Sequence, residues 1–290
     1  MRVVSLLPSA TEIVAELGLD GLLVGRSEEC DWPAGVAPLP VVSRARIDTA
    51  SLSSRAVDDA VRAAVRDHRS LYVVDEELLA ALEPDLVLTQ DLCAVCAVAS
   101  GDICLTDVPV LSLDPRTLED VAASIEAVGG ALGAAATGRE RAARFRRELD
   151  EVRAATADLA RPRVFLAEWV EPPYAPGHWL PELVGIAGGD CLLGRPGEES
   201  IPVTWDAVRA ARPELVVLAP CGYDAPRAAR EPVPGALDCR VVAVDGSAHY
   251  ARPAPRLAAG ARQLAHLLHP EAVSDPGLPV FDVTPVGALP

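Results

Sequence analysis

The alternation of apolar and polar positions along the first half of the chain predicts strands that alternate with helices. Apolar runs at residues 3–7, 22–25, 71–74 and 86–89 have the length of buried strands, and helical periods cover residues 53–67, 76–82, 117–132 and 138–159. The last helix places Phe145, Leu149 and Val152 on one face, with charged residues opposite. This order predicts an α/β fold with a long helix in mid-chain.

The same alternation restarts in the second half of the chain. Strands are predicted at residues 164–167, 215–219 and 241–244, and helices at 181–187, 205–211 and 255–268. We therefore predict two Rossmann-like lobes with parallel sheets: a first lobe at 1–137, a joining helix at 138–160, and a second lobe at 161–270. The proline-rich tail, 271–290, has no helical period and is predicted to lie on the surface.

A short internal repeat supports this division. Residues 82–88 read LEPDLVL and residues 211–218 read ARPELVVL, so each segment is a helix end, a proline, an acid and a buried strand. Turns of this kind are common in parallel α/β proteins, and the repeat is supporting evidence only.

Composition excludes several classes of function. A formal charge of -16 disfavours nucleic acids and anionic membrane surfaces as partners. No lysine occurs, which excludes Schiff-base and phosphate-loop lysines. The first residues lack the pattern of a signal peptide, and no apolar run is long enough to span a membrane, so we predict a cytoplasmic protein without membrane insertion.

The loops that follow the predicted strands hold an unusual share of chemically informative residues. In open parallel sheets, ligands bind beyond the carboxyl ends of the strands. The loops at 8–11, 27–32, 89–96, 168–179, 220–223 and 245–250 contain every tryptophan except Trp205 and three of the four tyrosines. Aromatic and polar side chains facing each other across two lobes predict a cleft for a large flat ligand.

The candidate ligand contacts are taken from these loops. Ordinary structural roles compete at several of them: Asp91 as a helix cap, Glu168 as a solvated carboxylate, and His178 as a loop anchor. The candidates are Ser9, Trp32, Gln90, Asp91, Cys93 and Cys96 in the first lobe, and Glu168, Trp169, Tyr174, His178, Trp179, Cys221, His249 and Tyr250 in the second.

Cysteine chemistry stays open between three interpretations. Cys93 and Cys96 follow a predicted strand and begin a helix, a setting that favours the thiolate, which binds soft metals or exchanges disulfides. Packing, contact with a ligand or metal, and redox chemistry all fit this pair. With Cys221, and His178 or His249 as a fourth donor, a thiolate-bound metal is a further hypothesis. No nucleotide-binding, hydrolase or zincin motif occurs.

Several segments resemble the cobalamin-binding substrate proteins of ABC importers, which are class III periplasmic binding proteins of the helical-backbone metal-receptor superfamily. The likeness covers roughly residues 1–270. Its segments are RVVSLLPSATE at 2–12, PDLV at 84–87, RVFL at 163–166, PPY at 172–174 with Gly177, Gly188-Gly189, and APR at 254–256.

The resemblance implies two α/β lobes joined by one rigid helix, with the ligand in the cleft between them. It implies that Tyr174 is a ligand-facing aromatic, that residues 247–250 belong to the cleft, and that Arg252 and Arg256 are scaffold. Three features depart from the importer receptors: no export signal, alanines at 248 and 251 where acids are expected, and extra segments at 53–75 and 90–96. These departures indicate an intracellular branch and argue against an ABC transporter as partner.

The sequence therefore supports a cytosolic carrier of a metal chelate, with cobalamin or a related corrinoid as the expected ligand and haem or a siderophore as variants. One alternative is an enzyme that uses Cys93 and Cys96 as nucleophile or redox pair, with Glu168 or His178 carrying protons. Another is a thiol-based carrier of zinc, copper or iron.

Overall fold

A computed structural model describes residues 1–49, 51–67, 69–90, 108–235 and 237–285. The chain forms two compact units. The first unit is Met1–Pro115 with Glu119–Arg144, and the second is Arg116–Leu118 with Phe145–Pro290. The predicted lobe boundaries stay a prediction.

The first unit contains a six-stranded sheet in the order β4-β3-β2-β1-β5-β6, parallel except for the β3–β4 pair. Its helices are α1 to α4 and the first part of α5. The bounds are β1 Val3–Ser5, α1 Pro8–Glu16, β2 Leu23–Ser27, β3 Val41–Ala45, α2 Ser54–Arg66, β4 Tyr72–Val74, α3 Glu76–Ala81, β5 Leu86–Thr89, β6 Val110–Ser112, α4 Leu118–Ala131 and α5 Ala135–Thr156.

Local chemistry sets the ends of these helices. Pro8 begins α1, where a missing N–H costs nothing, and Gly18 follows its end with a φ of 71°, a conformation that glycine adopts without strain. The Ser53 hydroxyl accepts a hydrogen bond from the Ala56 N–H and so caps α2. The start and end of α1 and the start of α2 therefore lie at residues that suit helix termini.

The second unit contains a five-stranded sheet in the order β10-β7-β12-β13-β14 and a three-stranded sheet in the order β11-β9-β8. The larger sheet is parallel except for the β13–β14 pair, and the smaller one is antiparallel. The bounds are β7 Arg163–Ala167, β8 Trp169–Val170, β9 Pro173–Ala175, α6 Leu180–Ile186, β10 Asp190–Cys191, β11 Ile201–Pro202, α7 Trp205–Ala210, β12 Leu215–Leu218, α8 Ala225–Ala228, β13 Arg240–Val244, α9 Gly246–His249, α10 Leu257–Leu268 and β14 Val280–Asp282.

The internal repeat has the same hydrogen-bond scheme in both units. The backbone N–H of Arg2 donates to the Asp85 carboxylate at 2.6 Å, and the backbone N–H of Arg163 donates to the Glu214 carboxylate at 2.9 Å. In return each acid donates its own N–H to the carbonyl of the partner arginine, at 2.8 Å in both units. The acid after the proline therefore aligns two neighbouring parallel strands at their amino ends.

The α/β fold is confirmed, and the structure adds two details. Within the proline-rich tail, residues 280–282 form an edge strand that pairs antiparallel with β13. The sheets are therefore not purely parallel. A three-residue strand is too short for its side-chain alternation to be recognised, and pairing with an existing strand is what orders it.

Two helical glycines predict opposite effects of the same substitution. A Cβ atom at Gly260 in α10 would lie 2.1 Å from the carbonyl oxygen of His249, whereas a Cβ at Gly130 in α4 would meet no atom within 4 Å. We expect Gly260→Ala to lower the free energy of unfolding by about 1–3 kcal/mol through overpacking. Gly130→Ala should raise it by up to about 1 kcal/mol, because alanine is the better helix former.

Urea denaturation of the two variants beside the unmodified protein measures both effects. An unchanged or higher unfolding midpoint for Gly260→Ala would contradict the close approach of α10 to residue 249.

Candidate functional site

Glu168 directly follows β7 and ties together the loops at the carboxyl end of that strand. Its carboxyl group accepts a hydrogen bond from the Gly177 N–H at 2.7 Å and a short one from the Ser200 hydroxyl. Burial raises the pKa of Glu168 above its ordinary value, and the bonds from Ser200 and Gly177 oppose that rise. The Glu168 carboxyl group is thus paired with two donors, and its role as a ligand contact stays a prediction.

The hairpin formed by β8 and β9 presents two aromatic side chains on one face. Trp169 lies directly opposite Tyr174 in the strand register, and both side chains are half-buried. The Trp169 ring packs edge-on against Tyr223, with ring centroids 5.2 Å apart. The Arg227 guanidinium lies 3.6 Å from the centroid of the Tyr223 ring. The buried Tyr223 ring thus packs against the Trp169 ring and helps to fix its position.

Residues 194–200 pack closely against the loop that follows β9. A Cβ atom at Gly177 would lie 2.3 Å from the Ser200 nitrogen, so only glycine permits this approach. The His178 N–H donates to the Glu198 carbonyl at 2.6 Å, and the Gly197 N–H donates to the His178 carbonyl at 2.9 Å. These contacts give the loop after the hairpin a single conformation.

His178 is held in this loop with a φ of 49°, a left-handed conformation that is rare for residues other than glycine. Burial lowers the pKa of its imidazole, and the nearby Arg116 lowers it further, while Glu199 opposes these effects. The imidazole Nε2 is buried and has no hydrogen-bond partner among the described residues. The lowered pKa favours the neutral form of the imidazole, and the backbone of His178 anchors the loop through its bonds to residues 197 and 198.

Two predicted contacts, Trp179 and Tyr250, belong instead to the core of the second unit. Their exposed fractions are 6% and 0%. The Trp179 indole N–H donates to the Tyr250 carbonyl at 2.8 Å, and the Tyr250 hydroxyl donates to the Gln263 side-chain oxygen at 2.9 Å. Both rings therefore pack in the core of the second unit, and their role as ligand contacts stays a prediction.

The remaining candidates of the second unit are accessible. Cys221 is exposed, and its N–H donates to the Glu168 carbonyl at 3.2 Å. His249 is half-buried at the end of α9, with its Nδ1 atom 3.4 Å from the Arg256 carbonyl oxygen. Their roles as ligand contacts stay predictions.

A metal site is not found in the part of the chain that the structure describes. Within these residues no three histidine, cysteine or acidic side chains are arranged to hold a metal ion. The predicted thiol site combines Cys221 with Cys93 and Cys96. Cys93, Cys96 and the neighbouring Asp91 lie outside the described residues. The thiolate-bound metal therefore stays a prediction.

The carboxyl ends of the first unit's strands hold the other candidates. Ser9 is only 2% exposed in the first turn of α1, and its role as a ligand contact stays a prediction. Gln90 is 4% exposed and adjoins the segment outside the described residues, and its role stays a prediction. Trp32 is half-buried and precedes a cis bond to Pro33. Among the described residues of these loops in the first unit, Trp32 is an aromatic residue with accessible surface.

Sequence reasoning missed the residues that support the hairpin rather than forming its surface. Tyr223, Arg227 and Ser200 were not candidates, although Tyr223 stands in a loop that follows a strand. Ser200 lies 32 positions from Glu168 along the chain, and no local pattern joins the two. Of the three, only Tyr223 carried a signal that could have been used.

The raised pKa of Glu168 predicts a dependence of stability on pH. The folded state retains the proton above the ordinary pKa of 4.5, so the stability that this proton contributes is lost as the pH rises through the folded-state pKa. Glu168→Gln cannot ionise and keeps one acceptor for Gly177 and one donor for Ser200. The free energy of unfolding of the unmodified protein should therefore fall relative to that of Glu168→Gln as the pH increases.

Urea denaturation at several pH values between 4.5 and 8.5 measures this difference. Glu151→Gln, the same chemical change at a residue whose side chain is 68% exposed, is the control and should follow the unmodified protein. Parallel curves for Glu168→Gln and the unmodified protein would contradict the raised pKa of the Glu168 carboxyl group.

Among the helices that the structure describes, none combines the length and the apolar character needed to cross a bilayer.

Comparison with known proteins identifies relatives. The sequence pattern of the family described as "Periplasmic binding protein" matches residues 3–231. A vitamin B12-binding protein of Vibrio parahaemolyticus is 26% identical over 217 residues, which is 74% of this chain and 69% of that protein.

Solved structures share the fold. The periplasmic vitamin B12 binding protein BtuF of Vibrio cholerae superposes with a TM-score of 0.67 at 21% identity, covering 92% of this chain and 96% of its own. The periplasmic heme-binding protein RhuT of Roseiflexus sp. RS-1 gives a TM-score of 0.69 at 20% identity, covering 93% and 98%. The match of the family pattern to most of the chain shows that the protein belongs to the periplasmic binding protein family.

Proposed function

We propose that this protein binds a planar metal chelate of the corrinoid or haem type and acts as a carrier that performs no reaction on it. The observation that carries the proposal is the pair Trp169 and Tyr174, which lie opposite each other on one hairpin face at the carboxyl end of β7. The kinship with a vitamin B12-binding protein and a heme-binding protein supports this ligand class.

The geometry of the hairpin suits a large flat ligand. A corrin or porphyrin ring offers extended apolar faces, and aromatic side chains bury such faces with specific geometry. Trp169 and Tyr174 are half-buried, so they keep surface for contact while their positions are set by the strand pairing and, for Trp169, by Tyr223. We therefore assign the ring contact to these two residues.

Rigidity of the hairpin supports a binding role. Glu168, Gly177 and Ser200 join the hairpin to the 194–200 segment through two hydrogen bonds and one close backbone approach. A surface that is ordered before the ligand arrives loses less conformational entropy on binding, which raises affinity. In this proposal His178 serves as the loop anchor, because its Nε2 atom is buried.

The choice between a corrinoid and haem depends on the groups around the ring. Corrinoids carry amide side chains, whereas haem carries two carboxylates, and the amide of Gln90 and the exposed Cys221 are the predicted polar contacts. We propose a corrinoid first, because the curated relative is a vitamin B12-binding protein. Action in the cytosol is part of the proposal, and fractionation of cells that produce the full-length protein tests it.

The ligand proposal predicts a spectroscopic titration. Purified protein should bind cyanocobalamin or haemin saturably at a 1:1 ratio, with a shift in the absorption spectrum of the chelate. Trp169→Ala should weaken binding at least about tenfold, since aromatic anchors dominate interfaces with flat ligands, and Trp169→Phe should lie between the two. Phe281→Ala, which removes a 42% exposed aromatic on β14, should bind as the unmodified protein does.

Circular dichroism and the urea midpoint of each variant separate lost binding from lost folding. Absence of saturable binding to both chelates, or equal affinity of Trp169→Ala and Phe281→Ala, would contradict the proposal.

The thiol-based alternatives are tested in the same titration. A carrier of zinc, or an enzyme that uses Cys93 and Cys96, predicts that the purified protein holds or takes up zinc, or turns over a thiol-reactive substrate. The Cys93→Ser/Cys96→Ser double variant should then lose that property. Under our proposal the double variant keeps at least part of its affinity for the chelate.

A further inference from the structure

A cavity lies in the first unit, between α2 and the residues that follow β3. Its volume is about 520 Å³, within the range of small-molecule sites. One wall is a row of alanines, Ala60, Ala63 and Ala64, at positions that share one face of α2. This wall belongs to the extra segment at 53–75 that distinguishes the sequence from the importer receptors it resembles.

The cavity exists because small side chains stand where large ones would fill the space. Ile47 and Leu71 complete an apolar lining with the three alanines. The walls are fixed by backbone hydrogen bonds: the Arg46 N–H donates to the Leu71 carbonyl at 2.8 Å, and the Arg69 N–H donates to the Ala64 carbonyl at 2.9 Å. The space is therefore a feature of the backbone arrangement rather than of one side-chain rotamer.

Two arginines and Ser70 are also among the residues that line this cavity. The Arg46 Nε–H donates to the Tyr72 carbonyl at 3.2 Å, and its terminal nitrogens have no partner among the described residues. The Arg69 side chain donates to the Asp67 carboxylate at 3.1 Å and remains exposed. Arginine forms paired hydrogen bonds with carboxylates, sulfonates and phosphates.

The local charge differs from that of the whole chain. Residues 44–69 carry six arginines and four aspartates, a formal charge of +2, in a protein whose formal charge is -16. The net negative charge of the whole protein repels anions, whereas the net positive charge of residues 44–69 attracts them. The cavity thus joins an apolar lining with cationic groups, the combination that an amphipathic anion requires.

We propose that this cavity is a binding site for a small organic anion with an apolar body, such as a medium-chain carboxylate. The apolar chain lies against the alanines of α2, and the carboxylate is held by Arg46 and Arg69. Asp67 competes for Arg69, so Arg46 makes the stronger contribution. This site is separate from the chelate proposal, and neither depends on the other.

Isothermal titration calorimetry with octanoate tests the proposal, with octan-1-ol and octylammonium as a neutral and a cationic analogue of the same chain length. Octanoate should bind saturably at one site, and both analogues at least about tenfold more weakly. Arg46→Gln/Arg69→Gln should weaken octanoate binding by tenfold or more, since it removes both charged donors. Arg55→Gln, the same change at an exposed arginine of α2 that does not line the cavity, should have no effect.

A second variant tests the space instead of the charge. Ala63→Phe places a ring in the cavity and should abolish octanoate binding while leaving the chelate titration unchanged. The proposal is overturned if octanoate gives no saturable binding, if octan-1-ol binds as tightly as octanoate, or if both the double arginine variant and a folded Ala63→Phe protein bind as the unmodified protein does.

Discussion

The arrangement of the aromatic surface formed by Trp169 and Tyr174 depends on the hydrogen bonds of the Glu168 carboxyl group. This group accepts hydrogen bonds from Gly177 and Ser200, and it thereby joins the end of a central parallel strand, a hairpin and a distant loop. Burying a carboxyl group is costly unless its hydrogen-bonding needs are met, and here two donors meet them. The aromatic face of the hairpin is thus held through this one group, which connects three segments of the second unit.

The strand framework beneath this surface is built twice with one device. In each unit an acid after a proline exchanges hydrogen bonds with the backbone of the arginine that begins the neighbouring strand. These contacts lie at the amino ends of the strands and set their register, while the carboxyl ends carry the variable loops. In open parallel sheets generally, ligands bind beyond the carboxyl ends of the strands, so contacts at the amino ends can be purely structural.

The first unit holds the cavity on which the second proposal rests. Ala60, Ala63 and Ala64 on one face of helix α2 form part of its lining, and Arg46 and Arg69 are also among its lining residues. The two proposals assign ligands of different chemistry to separate sites: a flat chelate to the aromatic rings of the hairpin, and an amphipathic anion to the alanines and arginines of this cavity.

The sequence by itself determined the order of the main strands and helices, because buried strands such as 86–89 and capped helices such as α2 carry their own period and end signals. It also indicated which loops follow the strands, and Trp169 and Tyr174, which lie in one of them, are half-buried. Only the tertiary structure decided that Tyr250 and Trp179 are core residues and that Glu168 is buried, since their partners are 9 to 71 positions away. Local patterns report a residue's own element, whereas its exposure depends on which distant segment packs against it.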